Sequence, residues 1–130
     1  MVVDTSVILA ILLHETDREA LLESLLAAPQ LTISAVSVVE IGIVSLRRGG
    51  ERLLAEADDL LRAIGIGIIP VDAAQAELAI AAYARFGRGR HPAGLNFGDC
   101  FAYALARARG ERLLFKGADF AATDLAAAGA

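Results

Sequence analysis

Leu95-Asn96-Phe97-Gly98-Asp99-Cys100-Phe101-Ala102-Tyr103-Ala104-Leu105 places one carboxylate in the first turn of an otherwise apolar helix. Asn96 is suited to cap that helix by accepting a hydrogen bond from a free backbone N–H of the first turn, which leaves Asp99 at the third helical position. Phe97, Cys100, Phe101, Ala104, Leu105 and Ala108 recur at the helical period as an apolar face. Asp99, Tyr103 and Arg107 run four apart along the remaining stripe. An acid in a first turn complements the helix dipole by roughly 0.3–1 kcal/mol, and alone Asp99 need do nothing else. Three further acids mark it out: Asp4, Glu40 and Asp119 each interrupt apolar surroundings where a strand ends or a helix begins.

Working outward, Leu113 to Phe115 reads as a strand, left through Lys116-Gly117-Ala118-Asp119-Phe120, with Thr123-Asp124-Leu125 before an Ala-rich tail. Upstream, Gly87 to Gly94 is a Gly/Arg-rich loop carrying Arg88, Arg90 and His91, and Ala73 to Phe86 is a mostly buried helix with Asp72 as its N-cap. Ile66 to Val71 is apolar throughout, as a strand buried on both faces would be. Before it, Leu53, Leu54, Ala57, Leu60, Leu61 and Ile64 form a helical face, separated by the break Gly49-Gly50 from a helix over Ala35 to Arg48 whose only acid is Glu40. Leu31 to Ser34 is a strand, and Thr16 to Glu19 has capping-box spacing at the head of a helix that ends near Pro29. At the start, Val2-Val3 is a short strand turning through Asp4-Thr5-Ser6 into the helical run Val7 to Leu13.

Strands alternating with helices predict an α/β fold with a short, mostly parallel central sheet flanked by helices, since parallel neighbours need crossover connections. A chain of 130 residues, 56% hydrophobic, holds one core and is expected to form a single domain over residues 1–130. The net charge of −4 excludes nucleic-acid binding by overall charge and requires a local basic patch for any such role. Arg88, Arg90 and Lys116 are the candidates for contacting phosphates. One cysteine, Cys100, excludes an internal disulfide and a Cys-rich zinc site. No leader pattern opens the sequence and no apolar run approaches the ~20 residues of a membrane span, so a soluble cytoplasmic protein is expected.

In parallel α/β folds ligands gather beyond the carboxyl ends of the strands. Asp4 and Asp119 fall there by sequence, Asp99 begins a helix that starts at the same rim, and Glu40 lies ~9 Å along its helix axis. Four converging carboxylates repel one another, and their natural occupant is one or two divalent cations with oxygen ligands. No His or Cys belongs to this set, which favours Mg²⁺ or Mn²⁺ over zinc and suits phosphoryl chemistry.

The ordered motifs Val3-Asp4-Thr5-Ser6, Ser37-Val38-Val39-Glu40, Gly89-Arg90-His91 with Gly94-Leu95-Asn96-Phe97-Gly98-Asp99-Cys100, and Leu113-Leu114-Phe115-Lys116-Gly117 with Asp119-Phe120 and Thr123-Asp124 span essentially the whole chain. In them the sequence resembles the PIN-domain ribonucleases, most closely the VapC-type toxins of bacterial toxin–antitoxin pairs. The resemblance implies a three-layer PIN-like fold and a metal-dependent endoribonuclease with Asp4, Glu40 and Asp99 as core acids and Asp119 as the fourth. It further implies support of the metal site by Thr5 or Ser6, an RNA substrate, a homodimer, and a VapB-type antitoxin as partner. Asp124 is the alternative fourth acid. A receiver-like acidic-pocket signalling domain, imitated by Asp72 and Lys116, lacks the paired acids after the first strand because Thr5 follows Asp4. A haloacid-dehalogenase-type phosphatase wants an Asp where Ser6 stands. A catalytically inactive PIN-fold binding module is the other alternative.

Overall fold

Val2–Val3 (β1) lies inside a four-stranded parallel sheet, with Thr32–Ser34 (β2) and then Gly67–Ile69 (β3) on one side and Leu113–Leu114 (β4) on the other. The computed structural model describes residues 1–125; the Ala-rich tail, residues 126–130, lies outside the described residues. Between the strands run α1 (Thr5–Leu12), α2 (Arg18–Ala27), α3 (Ala35–Ala63), α4 (Ala73–Phe86) and α5 (Phe97–Arg109), followed after β4 by a 3-10 turn at Phe120–Ala122.

Successive strand side chains point to opposite faces, and this alternation divides the core in two. Val3, Ile33 and Leu114 pack with Val7, Ile8 and Ile11 of α1, Leu21 and Leu25 of α2, and Ile41, Ala57 and Leu61 of α3. Val2 and Leu113 pack on the other face with Ala79, Ala82 and Phe86 of α4 and with Cys100, Ala104 and Leu105 of α5. The result is the expected three-layer α/β arrangement. Because β2 and β4 flank β1, the chain winds away from β1 in two directions, and the carboxyl end of β1 lies at the switch point where such sheets open a crevice.

Five local expectations are corrected. The apolar run Ile66 to Val71 forms only the three-residue β3, and it is an edge strand with Ile68 half exposed, because an apolar run does not distinguish a central strand from one covered on one side. The Thr16–Glu19 capping box does not form: Asp17 is the N-cap of α2, makes no side-chain cap bond, and directs its carboxylate to Lys116 instead. The break at Gly49-Gly50 is a kink within α3, where Gly50 takes φ 69° and ψ −159°, a left-handed region that a side chain disfavours. On α5, Phe97 and Ala108 are exposed while Ala102, Tyr103 and Ala106 are buried, so the apolar face is rotated from the predicted one. Val39, Ile43 and Leu46 of α3 also reach solvent, and α4, expected to be mostly buried, is buried only at Gln75, Ala79, Ala82 and Phe86 and exposes Ile80 and Tyr83, because it packs by one face alone. Among the described residues no helix is long and apolar enough to cross a membrane.

Candidate active site

Asp4 follows β1 directly and is buried, with only 5% of its surface exposed. It is the N-cap of α1, and its Oδ2 accepts the Ser6 N–H at 3.0 Å. Burial pushes its carboxyl above the ordinary aspartate range, bonds from Ser6 pull it down, and the charge of Glu40 adds to the rise. Ser6 has a second task, because its hydroxyl accepts the Lys116 N–H at 2.9 Å and ties the loop after β4 to the head of α1.

Glu40 arrives from α3, which packs beside α1 on the same face of the sheet. Its Oε1 accepts the Thr5 hydroxyl at 3.0 Å, and the same hydroxyl lies 3.4 Å from the Ser37 carbonyl. Burial raises its carboxyl, the Thr5 bond lowers it, and Asp99 raises it further. Thr5 thus acts through a hydroxyl and Ser6 through its side chain and backbone N–H, each orienting a different acid.

Asp99 comes from α5 in the third layer, held by a complete capping box. Asn96 Oδ1 accepts the Asp99 N–H at 2.9 Å, and Asp99 Oδ2 accepts the Asn96 N–H at 3.0 Å. Burial, with the charges of Asp4 and Asp119, outweighs the Asn96 bond and the Arg88 guanidinium and pushes the Asp99 carboxyl up to about 6. Asp119 is exposed but faces Asp99 closely enough to act on its charge. Asp124 does not: it accepts the Tyr103 hydroxyl at 2.6 Å and pairs with Arg85 at 3.0 Å, which lowers its carboxyl while burial and this bond push Tyr103 up to about 12. Of the two alternatives, Asp119 is therefore the acid beside Asp99.

The basic residues separate in the same way. Arg88 lies near enough to Asp99 to counter its charge, and it lines a groove between α4 and α5 with Ile80, Tyr83, Phe97 and Phe101. Arg90 anchors on the Ala84 carbonyl at 3.1 Å, over the last turn of α4. Lys116 departs from expectation, because its ammonium bridges Glu15 at 2.8 Å and Asp17 at 3.1 Å, a pairing that commits its charge within the protein. Asp72 caps α4 through the Gln75 N–H, so Asp72 and Lys116 do not form the pair that a receiver domain needs. The Cys100 thiol is pushed up to about 11 by burial and by Asp99, which keeps it protonated and unreactive.

Among the described residues no group of three His, Cys, Asp or Glu side chains stands ready to hold a metal ion. One oxygen each of Asp4, Glu40 and Asp99 accepts a hydrogen bond from an internal donor. The donor set nevertheless fits a hard divalent cation, since it is all oxygen and each acid is pushed toward protonation by its surroundings. The sequence pattern gives no role to Gly98, whose bare backbone lies against the Glu40 carboxylate. Only the contact between two helices reveals it.

The PIN domain family model matches residues 1–125. Ribonuclease VapC of Mycolicibacterium smegmatis is 48% identical over 127 residues, covering 98% of each chain. Ribonuclease VapC28 of Mycobacterium tuberculosis is 48% identical over 124 residues, covering 95% of this chain and 93% of its own. Among solved structures, the crystal structure of M. tuberculosis VapC20, described as a Sarcin-Ricin loop cleaving toxin, superposes with a TM-score of 0.77 at 22% identity, covering 96% and 95% of the two chains. A toxin–antitoxin complex from Klebsiella pneumoniae matches with a TM-score of 0.73 at 18% identity, covering 95% and 92%. With a sheet of this order, acids at its switch point and a family match from end to end, the chain belongs to the PIN-domain family, among its VapC ribonucleases.

Proposed function

We propose that this chain is a metal-dependent endoribonuclease toxin of a toxin–antitoxin pair, a single PIN domain over residues 1–130 that hydrolyses RNA phosphodiester bonds at Asp4, Glu40, Asp99 and Asp119. The observation that supports this most is that Asp4 after β1, Glu40 on α3 and Asp99 on α5 lie near enough to act on one another's charge, with burial and neighbouring acids raising all three carboxyls. Mg²⁺ or Mn²⁺ is the group such acids would hold, with Asp119 as the exposed fourth ligand. When bound, such a cation supplies the positive charge that activates water and offsets charge developing on a phosphate. Thr5, Ser6 and Asn96 keep the acids oriented through the bonds already described. The relatives named ribonucleases support RNA as the substrate. Purified protein incubated with total RNA should cleave it with Mg²⁺ or Mn²⁺ and not with a chelator; cleavage indifferent to metal would overturn this reading.

Arg88 is the residue we assign to the incoming phosphate backbone, with Arg90 beside it. Replacing both by Ala should weaken RNA binding and reduce its salt slope by ~0.7 for each lost contact on single strands. Arg88→Ala should account for most of the effect, because Arg90 already spends its Nε–H on Ala84. Lys116→Ala should leave the slope unchanged, its ammonium being paired with Glu15 and Asp17. Equal slopes for the wild type and the double Arg variant would reduce the Gly87–Gly94 loop to a solvated connection.

The exposed apolar side chains support two protein partners. A second copy of the chain would cover Ile80, Tyr83 and Phe97 along α4 and α5, and an antitoxin segment would lie along Val39 and Ile43, which flank Glu40 on α3. Light scattering at micromolar concentration should give a dimeric mass, and a strictly monomeric one would defeat the dimer. The product of the neighbouring reading frame should co-purify and suppress cleavage.

A further inference from the structure

Gly98 occupies the second position of α5, where glycine is among the poorest helix formers. Its φ is not in the left-handed region, so conformational freedom is not what the position requires. The requirement is space. A Cβ built on Gly98 falls on the Glu40 carboxylate, overlapping Oε2, Cδ and Oε1, and the residue is buried. Thr5 fixes Oε1 of the same carboxylate by a hydrogen bond, and Asp99, the next residue after Gly98, acts on its charge. Glu40 belongs to α3 and Asp99 to α5, on opposite faces of the sheet, so the two acids meet only if the helices approach without a side chain between them.

We infer that Gly98 is a positioning residue of the metal site: its missing side chain admits the Glu40 carboxylate to the first turn of α5, beside Asp99. This inference rests on the metal-dependent reading given above. Because the overlapping atoms are the far end of a flexible side chain and not backbone, a methyl group at 98 displaces the carboxylate and leaves the fold in place. Alanine also favours the helix more than glycine does.

The test is a titration of the metal-free protein with Mn²⁺, followed by electron paramagnetic resonance of the free ion, with the metal-free melting temperature measured in parallel. Gly98→Ala should bind Mn²⁺ about 10- to 100-fold more weakly than wild type, the range expected when a group that orients a ligand is lost. Its metal-free melting temperature should be unchanged or higher. Glu40→Asp shortens the acid by one methylene and withdraws it from position 98. Gly98→Ala combined with Glu40→Asp should therefore bind no more weakly than Glu40→Asp alone, a non-additivity that a purely structural role would not produce. Equal affinity of Gly98→Ala and wild type would overturn the inference, as would independent penalties that multiply in the double variant. A fall of the metal-free melting temperature shared by Gly98→Ala and the double variant would make Gly98 a packing residue and overturn it too. Wild-type protein that binds no Mn²⁺ would overturn the metal reading and this inference with it, an outcome distinct from equal binding by both proteins.

Discussion

Asp99→Asn should cut RNA cleavage by on the order of 10²- to 10³-fold, the scale seen when a preorganised electrostatic group is removed from an active site. The fold should survive. Asparagine keeps an oxygen that accepts the Asn96 N–H, and its own backbone N–H still donates to Asn96 Oδ1, so the capping box that starts α5 is retained. What disappears is a charge. Asp4 and Asp119 both raise the Asp99 carboxyl, and Asp99 in turn raises Glu40, so the substitution relieves repulsion across the site while withdrawing a ligand. Activity and metal-free stability should therefore move in opposite directions, which separates a lost ligand from a damaged protein. Full cleavage by Asp99→Asn with metal present would remove Asp99 from the chemistry.

The parts of this site that are legible in the sequence are those set by neighbouring residues. Asn96 stands three before Asp99 at the start of an apolar helical run, and its role as N-cap is legible from those neighbours, although the same spacing at Thr16 and Glu19 forms no box. Asp4 after Val2-Val3 is legible for the same reason, since a strand that turns into a helix wants an acceptor at the junction. Glu40 is only half legible. Its helix is apolar on most sides, but whether the acid faces water or α5 depends on Gly98, 58 positions away in the sequence numbering.

Residues whose partners are remote were misread or missed. Lys116 looks like a phosphate ligand until Glu15 and Asp17, in the connection between α1 and α2, are seen against it, at sequence separations of 101 and 99. Asp124 resembles a fourth acid until Tyr103 and Arg85 claim it. The strand Ile66 to Val71 shows the same limit at the level of the fold, because hydrophobicity reports burial of some kind but not how many neighbours a strand has. Local hydrogen-bond chemistry is thus written in adjacent residues, while the electrostatics of the site depends on which helices meet.

Saturating Mn²⁺ should raise the melting temperature of the wild type, because the ion binds the assembled acids and not the unfolded chain. At about 100 times its dissociation constant the gain is ~2.7 kcal/mol, or roughly 10 °C for a domain of this size. The metal-free protein sets the pH dependence. Asp99 has its carboxyl pushed from the ordinary 3.8 up to about 6, and Asp4 and Glu40 are raised in the same direction. The folded state therefore holds protons that the unfolded chain has released. Below about pH 4 both states are protonated and the acids cost nothing. Between about pH 4 and pH 6 the unfolded chain has released the Asp99 proton while the folded protein still holds it, so metal-free stability falls across that window relative to Asp99→Asn and levels off above it. Mn²⁺ must displace those same protons, so its stabilising effect should be largest above pH 7 and shrink as pH falls through 6. Thermal melts of wild type and Asp99→Asn at pH 5 and pH 7.5, with and without Mn²⁺, test every part of this. A rise that is independent of pH, or as large in Asp99→Asn as in the wild type, would place the ion away from these carboxylates.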